Sequence, residues 1–424
     1  MNNRVVLNDN RVVVSGMGMI TAAGKNVGET WAKVLSGETA IDTITRFDVS
    51  NFKVSLAAEI KDFDPELFVE EKKEVRRLDK YCQYALAAVH EAVISSGIDF
   101  KNDNHLDKTR CGVIFGSGIG GIETLESEIA KYKENNEKGP ARVSPLYIPM
   151  LIANMAAGHI SIKYGLEGHG FCPVTACATG SHAIGEAFRA IKHGYADIMI
   201  AGGSEAAITP TSIAGFQNTT TMSTSADKNA GLIAFDKRRG GFIIGEGAGA
   251  VVLENYESAK KRGAIIYGEV LGYCANFDAY HITSPDPTGK GAGNAMINAI
   301  NDAKLDKNQI GYINAHGTGT PVNDKTETVA IKKVYGSDAY NIPVSSTKGI
   351  VGHMLGAAGA VEAIFCMKAI MDGVLPPTAN LREADPECDL DYIALNAREK
   401  KIDYALSTSL GFGATNAVLI LGRI

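Results

Sequence analysis

Apolar positions in this chain fall into two recurring patterns, short unbroken runs and longer stretches with helical spacing. Residues 11–18, RVVVSGMG, make an apolar run that ends in a glycine turn, which predicts a strand. Runs at 111–115, 196–202 and 249–253 predict strands buried on both faces, since a strand with one wet face would alternate apolar and polar residues. Further strands are predicted at 265–271, 312–315, 343–345 and 417–421. Leu78, Cys82, Ala85, Leu86, Val89 and Val93 recur at helical spacing, and 292–303 and 325–335 show the same pattern. Asn26, three residues before Glu29, predicts a helix cap ahead of Trp31, Val34 and Leu35. Strands and helices alternate throughout, so the expected class is layered α/β. No low-complexity or Pro/Ser-rich linker separates the halves, and a division near Asn255 is expected, giving 1–255 and 256–424 within one compact body.

Composition adds that the core must be made of small aliphatic side chains. The 424 residues are 45% hydrophobic but only 7% aromatic, with 46 glycines and one tryptophan, Trp31. Such a core packs Ala, Val, Ile and Leu around glycine turns. A formal net charge of −6 argues against generic nucleic-acid or anionic-membrane binding. The seven cysteines form no CxxC pair, the first eighteen residues hold no unbroken apolar core of a signal peptide, and no apolar run is long enough to span a bilayer. The expectation is a reduced, soluble, cytoplasmic protein whose cysteines are mostly core residues.

Gly116 to Gly121 spell a GxGxxG pattern, but no suitably spaced ribose-binding acid follows, so a tight turn is expected rather than a dinucleotide site. Four other segments hold candidate chemistry. In Val174 to Gly180, VTACATG, an apolar strand end runs into Cys177, and Ile184, Ala187, Phe188 and Ile191 mark a helix after it. A cysteine at a helix N-terminus meets unpaired N–H groups that favour a thiolate and lower the thiol pKa. The same segment reads equally as a buried structural cysteine. Zinc at Cys172, Cys177 and His182 fails on spacing, and neither metal nor cofactor is expected. In NAHGTGTPVND, His316 follows a strand and enters a small-residue loop that can present its ring to a cleft. In SSTKGIVGHMLGAAGAVE, Lys348 and His353 precede a run of small residues, where a desolvated lysine needs an acid such as Glu362. In LGFGATN, Phe412 stands alone between two glycines.

These four segments, in this order, resemble the elongating β-ketoacyl-ACP synthases (class II) of bacterial type II fatty-acid synthesis. The family's nucleophile turn reads TAC-x-x-G, followed by HGTxT, SxK-x4-GH and GFGGTN. GFIIGEG at 241–247 and YHITSP at 280–285 extend the likeness over nearly the whole chain. The resemblance implies a thiolase-like fold of two pseudo-equivalent βαβαβαββ halves in a five-layered body, usually a homodimer. It implies that Cys177 is acylated from acyl carrier protein (ACP) and then condensed with malonyl-ACP, releasing CO2, while His316 and His353 stabilise the enolate. The backbone N–H groups of Cys177 and Phe412 would form the oxyanion hole, Lys348 would pair with Glu362, and Phe412 would gate the pocket with freedom supplied by Gly411 and Gly413. Ile119 and Phe216 match acyl-pocket positions, and Thr283, Thr318 and Thr320 match the pantetheine tunnel.

Lys72, Lys73, Arg76, Arg77 and Lys80 match the family's docking patch for the acidic carrier, with Arg142 beside it; alone, this run reads equally as a solvated charged face. Departures are Ala141 and Thr220 where relatives often carry basic residues, HGTGT for HGTST, GFGAT for GFGGT, and GHGFCPV around His169 and Cys172. A thiolase would need a second cysteine near the C-terminus, a starter-unit synthase an asparagine in place of His353, and a chain-length-factor subunit would lack Cys177. A ketosynthase of a type II polyketide or polyene pathway stays open as the alternative.

Overall fold

The computed structural model describes residues 9–134 and 142–424. Ten strands form one hydrogen-bonded array. In chain order they are β1 (Val12–Thr21), β2 (Cys111–Gly116), β3 (Gly170–Phe171), β4 (Ile198–Glu205), β5 (Gly247–Asn255), β6 (Gly268–Phe277), β7 (Ile310–Asn314), β8 (Val344–Ser345), β9 (Tyr404–Gly411) and β10 (Thr415–Gly422). Their spatial order is β8-β7-β9-β10-β6-β1-β5-β4-β2-β3. Read outward from the middle, one half runs β1-β5-β4-β2-β3 and the other β6-β10-β9-β7-β8. Each strand of the second half thus occupies the place of the strand five earlier. The pairings repeat as well: β1–β5 and β5–β4 are antiparallel while β4–β2 and β2–β3 are parallel, as are β6–β10, β10–β9, β9–β7 and β7–β8 in turn. A three-residue antiparallel contact, Val12 to Val14 against Val270 to Gly268, joins the halves.

The helices that matter here are α1 (Val27–Ser36), α2 (Lys80–Ser96), α3 (Thr179–Lys192), α4 (Lys290–Asp302), α5 (Pro321–Tyr335) and α6 (Ala358–Asp372). α3 and α6 pack on each other and touch strands of both halves, α2 covers the first half from outside, and α4 covers the second with α5 beyond it. The result is five layers of helix and sheet, the thiolase-like arrangement expected. Sandwiching explains why all of β1 is buried and shows no alternation. α2 lies so close to β1 that a Cβ at Gly16 or Gly18 would strike the Ala92 or Ala88 carbonyl.

Local expectations are met where the code is local. The Asn26 side chain accepts from the Glu29 N–H at 2.8 Å, and α1 ends at Gly37 with φ 70°. Two expectations fail. The strand expected to run into Cys177 is only Gly170–Phe171, and the chain from Cys172 to Thr175 is irregular. β9 was not anticipated at all, because Ser407, Thr408 and Ser409 make a fully buried strand look polar.

Candidate active site

Cys177 lies in a 3-10 turn, Ala176–Ala178, immediately before α3. Ala176 holds φ 49°, a left-handed conformation costly for a residue with a Cβ. Gly180, in the first turn of α3, faces the Ala360 amide so closely that a Cβ would come within 2.6 Å. The N-termini of α3 and α6 are thereby packed against each other. Phe412 lines the same cavity as Cys177, and its backbone N–H pulls the thiol pKa down.

The thiol is 8% exposed. Burial pushes its pKa up to about 12, against the opposing pull of Lys348 and the Phe412 amide. This corrects the sequence expectation of a lowered pKa: desolvation outweighs the helix terminus.

His316 follows β7, and its loop is held from below by Glu327 of α5. Glu327 accepts from the His316 and Gly317 N–H groups, both at 2.8 Å, and from the Thr408 hydroxyl at 2.6 Å. Asp324 accepts from the Gly319 N–H at 3.2 Å and the Phe235 N–H at 2.7 Å, and burial pushes its carboxyl up to about 6. His353 is fixed by its backbone, its N–H donating to the Ile243 carbonyl at 2.7 Å and its carbonyl accepting from the Gly245 N–H at 2.9 Å. The two rings meet edge to face, centroids 5.3 Å apart, and Phe242 stands edge to face against His353 at the same separation.

Burial, and then the neighbouring Lys348 charge, hold both histidines well below the usual imidazole range, so both are neutral. Each Nδ1 is buried with no hydrogen-bond partner among the described residues. An orphaned lone pair is less costly than an orphaned N–H, which places the proton on each Nε2. Lys348 pairs with Glu362 as expected, both fully buried. Burial raises the Glu362 carboxyl to about 7, with Lys348 opposing.

Cys177, His316, His353 and Phe412 line one cavity of about 400 Å³, together with Phe216, Thr283, Thr318 and Thr320. Thr318 and Thr320 share a hydroxyl–hydroxyl hydrogen bond of 2.9 Å, and Thr283 sits exposed. Thr220 also lines this cavity and holds φ 58°. Ile119 does not line it; it packs, as Phe216 does, on the apolar cluster that contains Cys177. The glycines beside Phe412 differ. Gly411 is crowded, with the Thr175 carbonyl 2.8 Å from where a Cβ would lie, whereas Gly413 has φ 86° and open space around it. Only Gly413 supplies the freedom expected of both.

The basic run forms a 3-10 turn, Lys72–Arg77, and it is not uniformly positive. Lys72 pairs with Glu66, Lys73 with Glu71, and Lys80 with Glu123 at 2.9 Å. Among the described residues no ion pair engages Arg76 or Arg77, and both are exposed, as is Arg142. Ala141 lies outside the described residues. The Gly116 to Gly121 segment is the tight turn expected, and among the described residues no group of His, Cys, Asp and Glu could hold a metal.

Sequence reasoning missed Glu205, Asp324 and Glu327. Each is a fully buried acid that accepts from backbone N–H groups of loops outside its own element, near in the chain for Glu327 and far for Glu205, and its only trace is a charge inside an apolar or Thr-rich segment.

Residues 9–259 match the family model of the β-ketoacyl synthase N-terminal domain, and residues 267–382 that of its C-terminal domain. The chain is 48% identical over 413 residues to 3-oxoacyl-(acyl-carrier-protein) synthase 2 of Staphylococcus aureus (strain N315), covering 97% of this chain and 98% of that protein. It is 47% identical over 414 residues to the protein of the same name from Synechocystis sp., with the same coverage. Among solved structures, a β-ketoacyl synthase from Burkholderia phymatum superposes with TM-score 0.89 at 34% identity, covering 98% of this chain and 100% of that one. A type II polyketide ketosynthase solved with its acyl-carrier protein and a bound hexaketide superposes with TM-score 0.90 at 31% identity and the same coverage.

Proposed function

The chain belongs to the β-ketoacyl synthase family, and on that premise we propose that it condenses acyl-ACP with malonyl-ACP through Cys177, His316 and His353 during fatty-acid elongation. One observation carries this reading: a buried thiol, two neutral histidines and an inward backbone N–H line the same cavity.

The Cys177 sulfur attacks the carbonyl of the carrier's thioester. The C–S bond to the carrier breaks, the carrier leaves as a free thiol with the proton Cys177 gives up, and the acyl group stays on the enzyme. The N–H groups of Cys177 and Phe412 hold the developing oxyanion. Malonyl-ACP follows, its phosphopantetheine arm passing Thr283, Thr318 and Thr320, whose hydroxyls match its amides. The malonyl C–C bond breaks, CO2 leaves, and the electron pair becomes an enolate held by the Nε2–H groups of His316 and His353. Two neutral donors suit this step, since they stabilise the charge without removing it by proton transfer. The enolate carbon attacks the acyl-Cys177 carbonyl, the new C–C bond forms and the C–S bond breaks; β-ketoacyl-ACP leaves, and the Cys177 thiolate takes a proton from water to restore the thiol.

Lys348 is spoken for by Glu362 and acts as a fixed charge, not as a base. Phe216, inside the cavity, and Ile119, on the cluster beside Cys177, bound the acyl chain. Arg76, Arg77 and Arg142 are the cations left to meet an acidic carrier, supplemented by Lys72 and Lys73 where their glutamates yield. The two repeats divide near Asn255, as the end of β5 and the seam between the two family models support. The protein acts as a homodimer, with exposed Phe171, Val174 and Tyr195 beside the edge strand β3 as the apolar contact. It works in the cytoplasm, consistent with seven unpaired cysteines and with no described helix long and apolar enough to cross a membrane.

The test is intact-protein mass spectrometry after mixing with acyl-ACP. The wild type gains the mass of one acyl group and Cys177→Ala gains none; an adduct persisting in the variant would overturn the assignment. A polyketide or polyene role is the second reading, favoured by the fold likeness to such ketosynthases; the higher identity to the fatty-acid enzymes places it second.

A further inference from the structure

The mechanism leaves one buried carboxylate beside the nucleophile unused. Glu205 ends β4, is fully buried, and has no ion-pair partner among the described residues. Its two oxygens accept four hydrogen bonds. Oε1 takes the Ser117 hydroxyl at 2.9 Å and the Ile119 N–H at 3.2 Å. Oε2 takes the Gly118 N–H at 2.9 Å and the Gly356 N–H at 3.0 Å. Ser117 in turn accepts from the Gly120 N–H at 3.0 Å.

Three segments meet on this side chain: the turn that carries Ile119, the turn before α6 and, through close packing, the turn that carries Cys177. A Cβ on Gly356 would strike the Gly118 amide, and a Cβ on Gly118 would lie 2.6 Å from the carboxylate and 3.5 Å from the Ala176 carbonyl. Each oxygen serves two donors, so replacing one oxygen leaves two buried groups short of an acceptor at once. The Glu205 charge is also near enough to act on the Cys177 thiol.

We infer that Glu205 is a positioning residue for acyl-chain selection: by holding the Ile119 turn against the nucleophile turn, it sets the length of chain that Cys177 accepts. The inference rests on the reading of Ile119 as an acyl-pocket residue. Glu205→Gln keeps the size and one acceptor oxygen but presents an NH2 group to donors, so either the Ile119 amide or the pair at Gly118 and Gly356 loses its acceptor. Short chains that do not reach Ile119 are indifferent to this; long ones are not.

The experiment is single-turnover acylation of Cys177, read by intact mass, with butyryl-ACP and myristoyl-ACP. The readout is the ratio of the myristoyl to the butyryl rate, which a general loss of folded protein leaves unchanged. In Glu205→Gln this ratio changes at least about threefold, the size expected when one buried donor loses its acceptor. Ser117→Ala, which removes one donor and leaves the carboxylate, moves the ratio the same way by less and covers the case in which Glu205→Gln does not fold. A ratio within about threefold of wild type in Glu205→Gln, or an unmoved ratio in Ser117→Ala if that variant alone folds, overturns the inference. Ile119→Phe is the control. If it leaves the ratio unmoved, the pocket reading fails and the inference with it; if it moves the ratio while Glu205→Gln does not, only the inference fails.

Discussion

Lys348 and Lys72 each pair with a glutamate, yet the Lys348 side chain is 1% exposed and that of Lys72 is 81% exposed. The surroundings differ as sharply as the exposure. Around Lys348 the neighbours are fixed: Glu327 ties the His316 loop to α5, Asp324 holds the next turn, and His353 is pinned by two backbone hydrogen bonds. Around Lys72 the partners are flexible side chains in water, and Lys73, Lys80 and their acids repeat the pattern. Geometry is therefore over-determined at the cavity floor and adjustable at the proposed docking face. Enolate stabilisation needs donors held in place, whereas a carrier that arrives and leaves needs a surface that can exchange partners.

The comparison breaks first if the two lysines cost the same to remove. Lys348→Met leaves Glu362 buried without its cation and lowers unfolding free energy by about 3–5 kcal/mol. Lys72→Met changes it within the error of a urea titration, as exposed pairs do. The buried loss also depends on pH. The Glu362 carboxyl, already near 7 with Lys348 present, rises further without it and lies above its unfolded value, so the folded state binds the extra proton. Stability of Lys348→Met therefore falls as pH rises, and the deficit against wild type is larger at about pH 8 than at about pH 6. Equal deficits at both pH values would show that Glu362 does not carry the cost.

Next in size are the histidines. His316→Ala and His353→Ala each slow malonyl-ACP decarboxylation by about 10²–10³-fold while transfer of the acyl group to Cys177 partly survives, because enolate charge develops only in the later step. Separate assays of acylation and CO2 release check this. Wild-type decarboxylation in both variants would remove the histidines from the chemistry.

The same contrast explains how much could be read from the sequence. Strands β1, β2, β4, β5 and β10, the N-cap of α1 and the Lys348–Glu362 pair were legible, because a run, a cap or a charge among small residues states a local need. The motif order then brought Cys177, His316, His353 and Phe412 together. Glu205 and Glu327 were not legible, since their needs are backbone N–H groups of loops that only the fold brings to them, far away in the chain for Glu205 and a loop before the helix for Glu327. β9 was hidden because its serines and threonine are buried among polar partners such as Glu327 and Ser181. The pKa of Cys177 was misjudged for a related reason: a helix terminus shows in sequence, whereas the depth of burial does not.

A smaller effect tests the exposed face. Arg76→Glu with Arg77→Glu raises KM for acyl-ACP by about tenfold and leaves short pantetheine thioesters unaffected, because steering needs the carrier's charge. Lys72→Glu with Lys73→Glu does less, since those cations are already paired. The check is KM against ionic strength: wild type weakens with salt and the arginine variant much less. Identical salt dependence in the two would exclude this face as the docking patch.

The smallest effect is expected at Phe412, which belongs to neither side of the comparison. Its amide acts on the Cys177 thiol and its flank at Gly411 is packed against Thr175, but beyond it Gly413 has open space and φ 86°. One end of the turn is thus anchored like the cavity floor and the other can move like the rim. If the ring is a gate, it keeps water from Cys177 in the substrate-free enzyme and adds to the desolvation that pushes the thiol up to about 12. Phe412→Ala admits water, so the pKa falls toward the ordinary thiol range, more thiolate is present at neutral pH, and iodoacetamide alkylates Cys177 faster. Wild-type alkylation should keep rising with pH past about 8.5, where an unperturbed thiol would begin to level off, and the variant should level off earlier. Condensation falls only about two- to tenfold, because the amide at position 412 remains as an oxyanion donor and only the order of events is lost. Alkylation no faster in the variant than in wild type would mean that the ring does not screen the thiol, and Phe412 would then join the fixed floor.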